Sequence, residues 1–237
     1  MSTATEEIVL ARARMFDGIA ARYDRLNRVM SFGLDQGWRR RAVAALDLRE
    51  DDRVLDVATG TADLAIQIAE AHPSVSVVGV DVSEGMLAVG SRKVEEAGLS
   101  GRVRLGYGDA LHLNYDDASF AGATIAFGLR NIPDRPRALR EMARVVRPGG
   151  RVVVLELAQP KGRGLSFLAR LHVRFIVPLL GRLLSKAVPY AYLKDSIEAL
   201  SSVAIVTDFR SAGLDGVSVR PLFFGACWLF VARKAAP

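Results

Sequence analysis

Apolar and polar positions alternate along this chain with two different periods. Residues 5–31 repeat apolar side chains at helical spacing, with Met15, Phe16, Ile19, Tyr23, Leu26 and Met30 on one stripe. Gly33 marks a break, and a second, basic helix follows it. Short apolar runs then alternate with amphipathic segments. "RVLDVA" (53–58), "VSVVGVD" (75–81), "RVRLGYGD", "FAGATIAF" (120–127) and "RVVVLEL" (151–157) read as strands. The segments between them read as helices: "TADLAIQIAEA" up to His72-Pro73, "SEGMLAVGSRKVEEAG" with Ser83 as N-cap and Gly98 as stop, and "PRALREMARVVRPGG" closed by Pro148-Gly149-Gly150. A last helix ends near Gly213. Runs 216–222 and 226–233, joined around Gly225, read as an antiparallel pair.

Continuous apolar strands between amphipathic helices imply a parallel sheet covered on both faces. The expectation is one α/β domain over 1–237: a doubly wound, mostly parallel sheet with a C-terminal antiparallel strand. Residues 1–45 would form a helical cap, and residues 161–200 a helical insertion acting as a lid. Ligands of such sheets sit at the C-terminal strand ends. The loops after Val57, Val80, Tyr107, Phe127 and Leu157 are therefore where chemistry is sought.

The first loop, "DVATGTAD", has Gly60 for a tight turn but is not GxGxxG. Ala62 replaces the glycine that lets backbone approach a pyrophosphate, and Asp63 would repel a phosphate. Asp81 ends the second strand, 21 positions after Gly60, where a carboxylate can accept both ribose hydroxyls. Taken alone, Asp81 reads equally well as a helix cap. Asp109-Ala110 follows the third strand, with an acid able to accept an adenine amino group. Together they describe an adenosine without phosphate, S-adenosylmethionine (SAM).

Composition narrows the rest. Half the residues are apolar, enough for a full core. A net charge of +6 permits nucleic acid, anionic lipid or an acidic ligand. The arginines are scattered and no aromatic-basic face stands out, which argues against nucleic acid. The single cysteine, Cys227, excludes an internal disulfide and reads as a buried inert thiol. Three dispersed histidines lack zinc spacing, so no metal is expected. There is no apolar signal core and no charge-free window of about 20 apolar residues, so the cytoplasm is the expected compartment. Residues 165–184 carry Leu168, Leu171, Phe175, Leu179 and Leu183 on one stripe, with Arg170 and Arg174 elsewhere. That stripe packs internally or lies on an anionic membrane.

The blocks "FDGIAARYDRLNRVMSFGLDQGWRRRAV", "DVATGTADLA", "GDALHLNYDDASF", "TIAFGLRNIPDRPRALREMARVVRPGGRVVVLELAQP" and "AYLKDSIEAL" resemble the class I SAM-dependent methyltransferases. Within that class they are similar to the C-methyltransferases of menaquinone and ubiquinone biosynthesis. The resemblance implies SAM contacts at Gly60, Thr61, Asp81, Asp109 and Ala110. It implies a prenylated quinol as acceptor, most simply demethylmenaquinol, with a ubiquinol precursor as the alternative. Tyr23, Phe32 and Trp38 would wall its ring, unless they are ordinary packing aromatics, and Asn27, Ser31 and Phe127 would contact it. Arg39, Arg40 and Arg41 cannot all face one way on a helix, so at least one only solvates. Arg130 would stabilise a developing oxyanion or, on the plainer reading, pair with Asp134. Asn131 would donate and accept, and the base would be a held water, Tyr23 or an Asp. The expected partners are that quinol, a peripheral anionic membrane and a second copy in a homodimer. Two rivals lie outside this class. One is a short-chain dehydrogenase built on Tyr190-x-x-x-Lys194, disfavoured by the glycine-poor turn; the other is a SAM-binding protein without catalysis.

Overall fold

The computed structural model describes residues 3–157, 196 and 201–235. The expected lid at 161–200, the stripe at 165–184 and the Tyr190/Lys194 pair lie outside those residues, Ser196 aside. Three helices come first: α1 (Thr3–Asp17), α2 (Ala20–Ser31) and α3 (Leu34–Ala45). Then β1 (Arg53–Val57), α4 (Asp63–Ala71), β2 (Ser76–Asp81), α5 (Glu84–Glu96) and β3 (Val103–Tyr107) alternate. They are followed by β4 (Phe120–Ala126), α6 (Arg135–Val145), β5 (Val146–Leu157), α7 (Ser202–Ser211), β6 (Leu214–Leu222) and β7 (Cys227–Lys234).

One seven-stranded sheet has the order β3-β2-β1-β4-β5-β7-β6. Pairing is parallel from β3 through β5, and β7 runs antiparallel to both of its neighbours. The chain winds outward one way from β1 and the other way from β4. The gap above the adjacent β1 and β4 is thus a topological switch point. One face buries Leu139 and Met142 of α6 and Phe209 of α7 against the strands. The other buries Trp38 of α3, Ile68 of α4 and Val94 of α5. Both faces are covered, so the strands can be apolar throughout, as the sequence pattern requires.

Two boundaries differ from the pattern. The first helical run does not continue from 5 to 31; it breaks between α1 and α2 at Gly18-Ile19. Asp17 is the cause. Its Oδ1 accepts from Ser83 Oγ (2.6 Å) and from the Gly85 amide (2.8 Å), both at the start of α5. A Cβ on Gly85 would lie 2.9 Å from that oxygen, so glycine there permits the approach. Such a long-range anchor outweighs local helix propagation. The second difference is Pro148-Gly149-Gly150, which lies within β5 as an irregularity rather than ahead of it. Gly149 has φ +77°, and Gly150 packs against the Ala121 carbonyl where a side chain would not fit. The expected break at Gly33 is present, with Phe32 and Gly33 both left-handed. Ser83 caps α5, accepting from the Met86 amide, and Cys227 is a fully buried free thiol. Burial beside Glu156 pushes that thiol well above its ordinary pKa, so it stays protonated.

Candidate active site

A cleft opens at the switch point. Its floor is the loop after β1, where Ala58, Gly60 and Ala62 alternate in left-handed backbone (φ 49°, 56° and 65°). Left-handed alanine is unfavourable by roughly 1–2 kcal/mol per residue. Neighbouring glycines make room for both methyls. A Cβ on Gly128 would meet Ala58 at 2.8 Å, and one on Gly90 would meet Ala62 at 3.2 Å. Hydrogen bonds hold the loop in this form: Thr59 Oγ1 to Asp56 (2.7 Å), the Thr59 amide to the Val80 carbonyl (3.0 Å) and the Gly60 amide to Asp81 Oδ2 (2.8 Å). Over-determined strain of this kind marks functional loops.

Asp56 was not read from the sequence as a site residue. It is 1% exposed and accepts from both Thr59 and Thr124 (2.6 Å). Burial raises its pKa to about 6 despite those bonds. A carboxyl raised in the folded state favours the fold below its unfolded pKa, and that contribution fades as pH climbs through about 6. The shift corresponds to about 3 kcal/mol. Asp56→Asn should therefore gain on wild type by roughly that amount between pH 4 and 7 in denaturant titrations. A stability difference that stays flat with pH would show that Asp56 ionises normally.

One half of the cleft is lined by Gly60, Asp81, Val82, Gly108, Asp109 and Ala110. Asp81 Oδ1 also accepts from the Ser83 amide (2.9 Å), and burial raises its pKa. Asp109 Oδ1 accepts from the Leu111 amide (2.9 Å). Each carboxylate keeps lone pairs towards the cleft. No added Cβ at Gly60 would meet another atom, so the loop backbone is open to a ligand. Two acids between apolar walls suit ribose hydroxyls and an adenine, and repel phosphate. Among the described lining residues Arg12 is the one cation, and it lies in the other half. The donor set therefore fits SAM. The reasons first read from the sequence differ from this one. Ala62 is fully buried, so its methyl does not close the loop against a ligand. Asp63 faces Lys93 (2.5 Å), and its pKa, raised by burial, is brought below the usual range by Arg39, Lys93 and Arg28.

The other half is lined by Arg12 and Phe16 of α1, Tyr23 of α2, and Phe127 and Asn131 after β4. Phe16 meets Tyr23 edge-on at 6.2 Å. Phe127 is left-handed (φ 59°) and pinned on several sides. Its carbonyl accepts from Arg130 Nη1 (2.6 Å), the Arg39 guanidinium lies 5.0 Å above its ring, and Trp38 packs edge-on behind it. Arg12 donates to the Asn131 carbonyl across the cleft.

Seven of the expected residues thus line one cleft: Gly60, Asp81, Asp109, Ala110, Tyr23, Phe127 and Asn131. Four stand elsewhere. Thr61 is buried and donates to Asp24 of α2. Ser31 donates to Asp35 (2.8 Å) in a polar network joining α2, α3, α4 and α5. Asn27 is half-buried on α2 away from the lining. Arg130 is paired with buried Glu156 (2.5 Å) rather than with Asp134, which instead caps α6. Phe32 is 62% exposed and is not among the residues lining this cleft, and Trp38 stands behind Phe127. Of the arginine triplet, Arg39 is buried and Arg40 and Arg41 are exposed. Arg12 and Phe16 were missed because no local pattern separates a cleft-facing helix position from a core-facing one. Among the described residues no three His, Cys, Asp or Glu side chains are placed to hold a metal. No described helix is long and apolar enough to cross a membrane.

A doubly wound sheet with an acid-lined, phosphate-averse cleft at its switch point defines the class of SAM-dependent methyltransferases. The chain belongs to the ubiE/COQ5 methyltransferase family, whose model matches residues 2–234. It is 45% identical over 222 residues to a ubiquinone/menaquinone biosynthesis C-methyltransferase of Geotalea daltonii, covering 93% of this chain and 94% of that one. It is 42% identical over 224 residues to the demethylmenaquinone methyltransferase of Geobacillus kaustophilus, covering 93% and 95%. Among solved structures, a SAM-dependent methyltransferase from Aquifex aeolicus superposes with a TM-score of 0.64 at 18% identity, over 88% of this chain and 93% of that one. The [4+2]-cyclase SpnF gives 0.67 at 18% identity, over 85% and 82%. Those two likenesses concern the fold alone, which hosts more than one chemistry.

Proposed function

We propose that this protein methylates a ring carbon of a reduced, prenylated quinol, converting demethylmenaquinol to menaquinol with SAM as donor. The observation that carries the reading is one cleft with two unlike halves. An acid pair for a nucleoside faces an aromatic, Arg12- and Asn131-lined wall for a ring bearing hydroxyls. The names of the relatives at 42–45% identity support the acceptor class. Bound SAM supplies a sulfonium methyl, electrophilic without further activation. The protein's own work is alignment, charge control and exclusion of water. Asp81 and Asp109 hold the nucleoside against the Gly60 loop. Phe127 and Tyr23 flank the acceptor ring. Tyr23 and Asn131 orient the ring hydroxyl, whose proton departs to water, and Arg12 stabilises the resulting oxyanion. Once the methyl–sulfur bond has broken to leave a neutral thioether, the proton on the methylated ring carbon passes to water and restores aromaticity, and the ring oxygen takes back one proton to give the quinol. Arg130 is a positioning residue on this reading: it holds the Phe127 carbonyl and the turn that presents Asn131. Ser31 and Thr61 tie α2 to α3 and to the nucleoside loop.

Only a ring with ionisable hydroxyls is nucleophilic at carbon. Purified protein given SAM and demethylmenaquinone should therefore form product only with a reductant present. Equal rates on strictly oxidised quinone would overturn the mechanism. The name of the Geotalea relative also favours the ubiquinone branch as a second acceptor. Lipid profiles of a deletion strain separate the branches by which demethylated quinone accumulates.

A further inference from the structure

Helix α3 sets two consecutive residues against Phe127. Trp38 meets the ring edge-on with centroids 6.3 Å apart, and the Arg39 guanidinium carbon lies 5.0 Å from the ring centroid. Neighbours on a helix point about 100° apart, so the two side chains reach the ring from different directions. Phe127 lines the cleft and Arg39 does not, so the ring stands between the guanidinium and the cleft.

Arg39 is 5% exposed, an unusual setting for a cation. Two carboxylates neutralise it at long range. Its Nε lies 3.9 Å from Asp35 Oδ2 and 3.8 Å from Asp63 Oδ2, and it makes no hydrogen bond among the described residues. Those carboxylates are held by closer donors. Asp35 accepts from Arg28 (2.6 Å) and Ser31 (2.8 Å), and Asp63 accepts from Lys93 (2.5 Å). Burying a cation is costly, and long ion pairs recover only part of that cost. The contact that remains to Arg39 is the Phe127 face, within cation–π range.

The ring it touches belongs to a strained residue. Phe127 has left-handed backbone (φ 59°), which a bulky side chain rarely adopts. Its amide donates to the Leu155 carbonyl (2.7 Å) and its carbonyl accepts from Arg130 (2.6 Å). Those bonds fix the backbone and leave the ring torsions to packing, which Arg39 and Trp38 supply. A cation on one side draws π density towards itself, so the side facing the cleft favours an electron-rich partner such as a hydroxylated ring.

We propose that Arg39 is a positioning residue for methyl transfer: it occupies one side of the Phe127 ring and so sets the other side against the acceptor. This rests on the quinol reading given above.

Arg39→Lys is the first test. Its ammonium still neutralises Asp35 and Asp63, but a compact, strongly hydrated charge has no planar face for the ring. The kcat/KM for reduced demethylmenaquinone should fall about tenfold, with SAM affinity by calorimetry held within about twofold. Arg39→Gln keeps a flat group and loses the charge. It should fall as far, and it serves if melting curves show the lysine variant unfolded. Arg40→Gln, at the exposed next position, should match wild type. In a Phe127→Leu background Arg39→Lys should bring no further loss, because a residue that acts through the ring loses its effect with it. 4-Fluorophenylalanine at position 127 gives a readout without any acceptor: its fluorine resonance should shift in Arg39→Lys and stay in place in Arg40→Gln. Wild-type kcat/KM in the Arg39 variants, an equal loss of SAM affinity, additive losses in the Phe127→Leu background, or an unmoved fluorine resonance would each overturn the proposal. A wild type inactive on the quinol would overturn the acceptor reading, and the fluorine resonance would still decide whether Arg39 holds the ring.

Discussion

Asp81→Ala is expected to weaken SAM binding on the order of 10²-fold, the upper part of the 1–3 kcal/mol range for a charged hydrogen-bond acceptor. The upper part applies because Asp81 does two things. Its oxygens accept the Gly60 and Ser83 amides (2.8 and 2.9 Å), and so fix the left-handed loop and the start of α5. Its remaining lone pairs face the cleft, where the ribose would bind. Alanine removes both. Asparagine is no mild substitute, because its NH2 would oppose one of those amides. Calorimetry with SAM measures the loss. Unchanged affinity in the alanine variant would remove Asp81 from the site.

Glu156→Ala is expected to cost about 3–5 kcal/mol of stability, the usual result of removing one partner of a buried ion pair. Glu156 is 1% exposed. One of its oxygens accepts from Arg130 Nη1 (2.5 Å) and the Leu157 amide (2.9 Å), and the other from the Arg130 amide (3.0 Å). Against a domain stability of about 5–15 kcal/mol this is a large fraction. The double variant Glu156→Ala/Arg130→Met should recover part of the loss, since the buried guanidinium is removed along with its carboxylate. It should not recover all, since two amides still lack acceptors. Denaturant unfolding of both variants measures the difference. A loss below about 1 kcal/mol in the single variant would place the pair in solvent. Activity should fall with stability in both, because the same pair holds the Phe127 carbonyl at the cleft wall.

Periodicity identified the fold because burial follows it. Five apolar runs became β1 to β5, and the two C-terminal runs became β6 and β7. Spacing placed Asp81 and Asp109 at one cleft for a related reason. Strand ends in a doubly wound sheet all deliver their next residue to the same edge, so Asp81 and Asp109 had to share it. The choice of a ligand without phosphate survives, but on other grounds. Ala62 points into the core and Asp63 into an ion-pair network, and neither orientation is encoded in a one-dimensional spacing.

By itself, then, the sequence determined the sheet, its covering helices and the acid-lined loops, since these depend on positions adjacent in the chain or repeating with a fixed period. Tertiary structure alone decided which residues of α1 to α3 and of the turn after β4 meet at the cleft. Arg130 finds Glu156, 26 residues away, and Thr61 finds Asp24, 37 residues away. Arg12 reaches the Asn131 carbonyl across 119 residues of chain. Those partners are set by how α1 to α3 pack over the strand ends. A polar side chain in such packing is committed to whichever group it meets when water is removed, wherever that group lies in the chain.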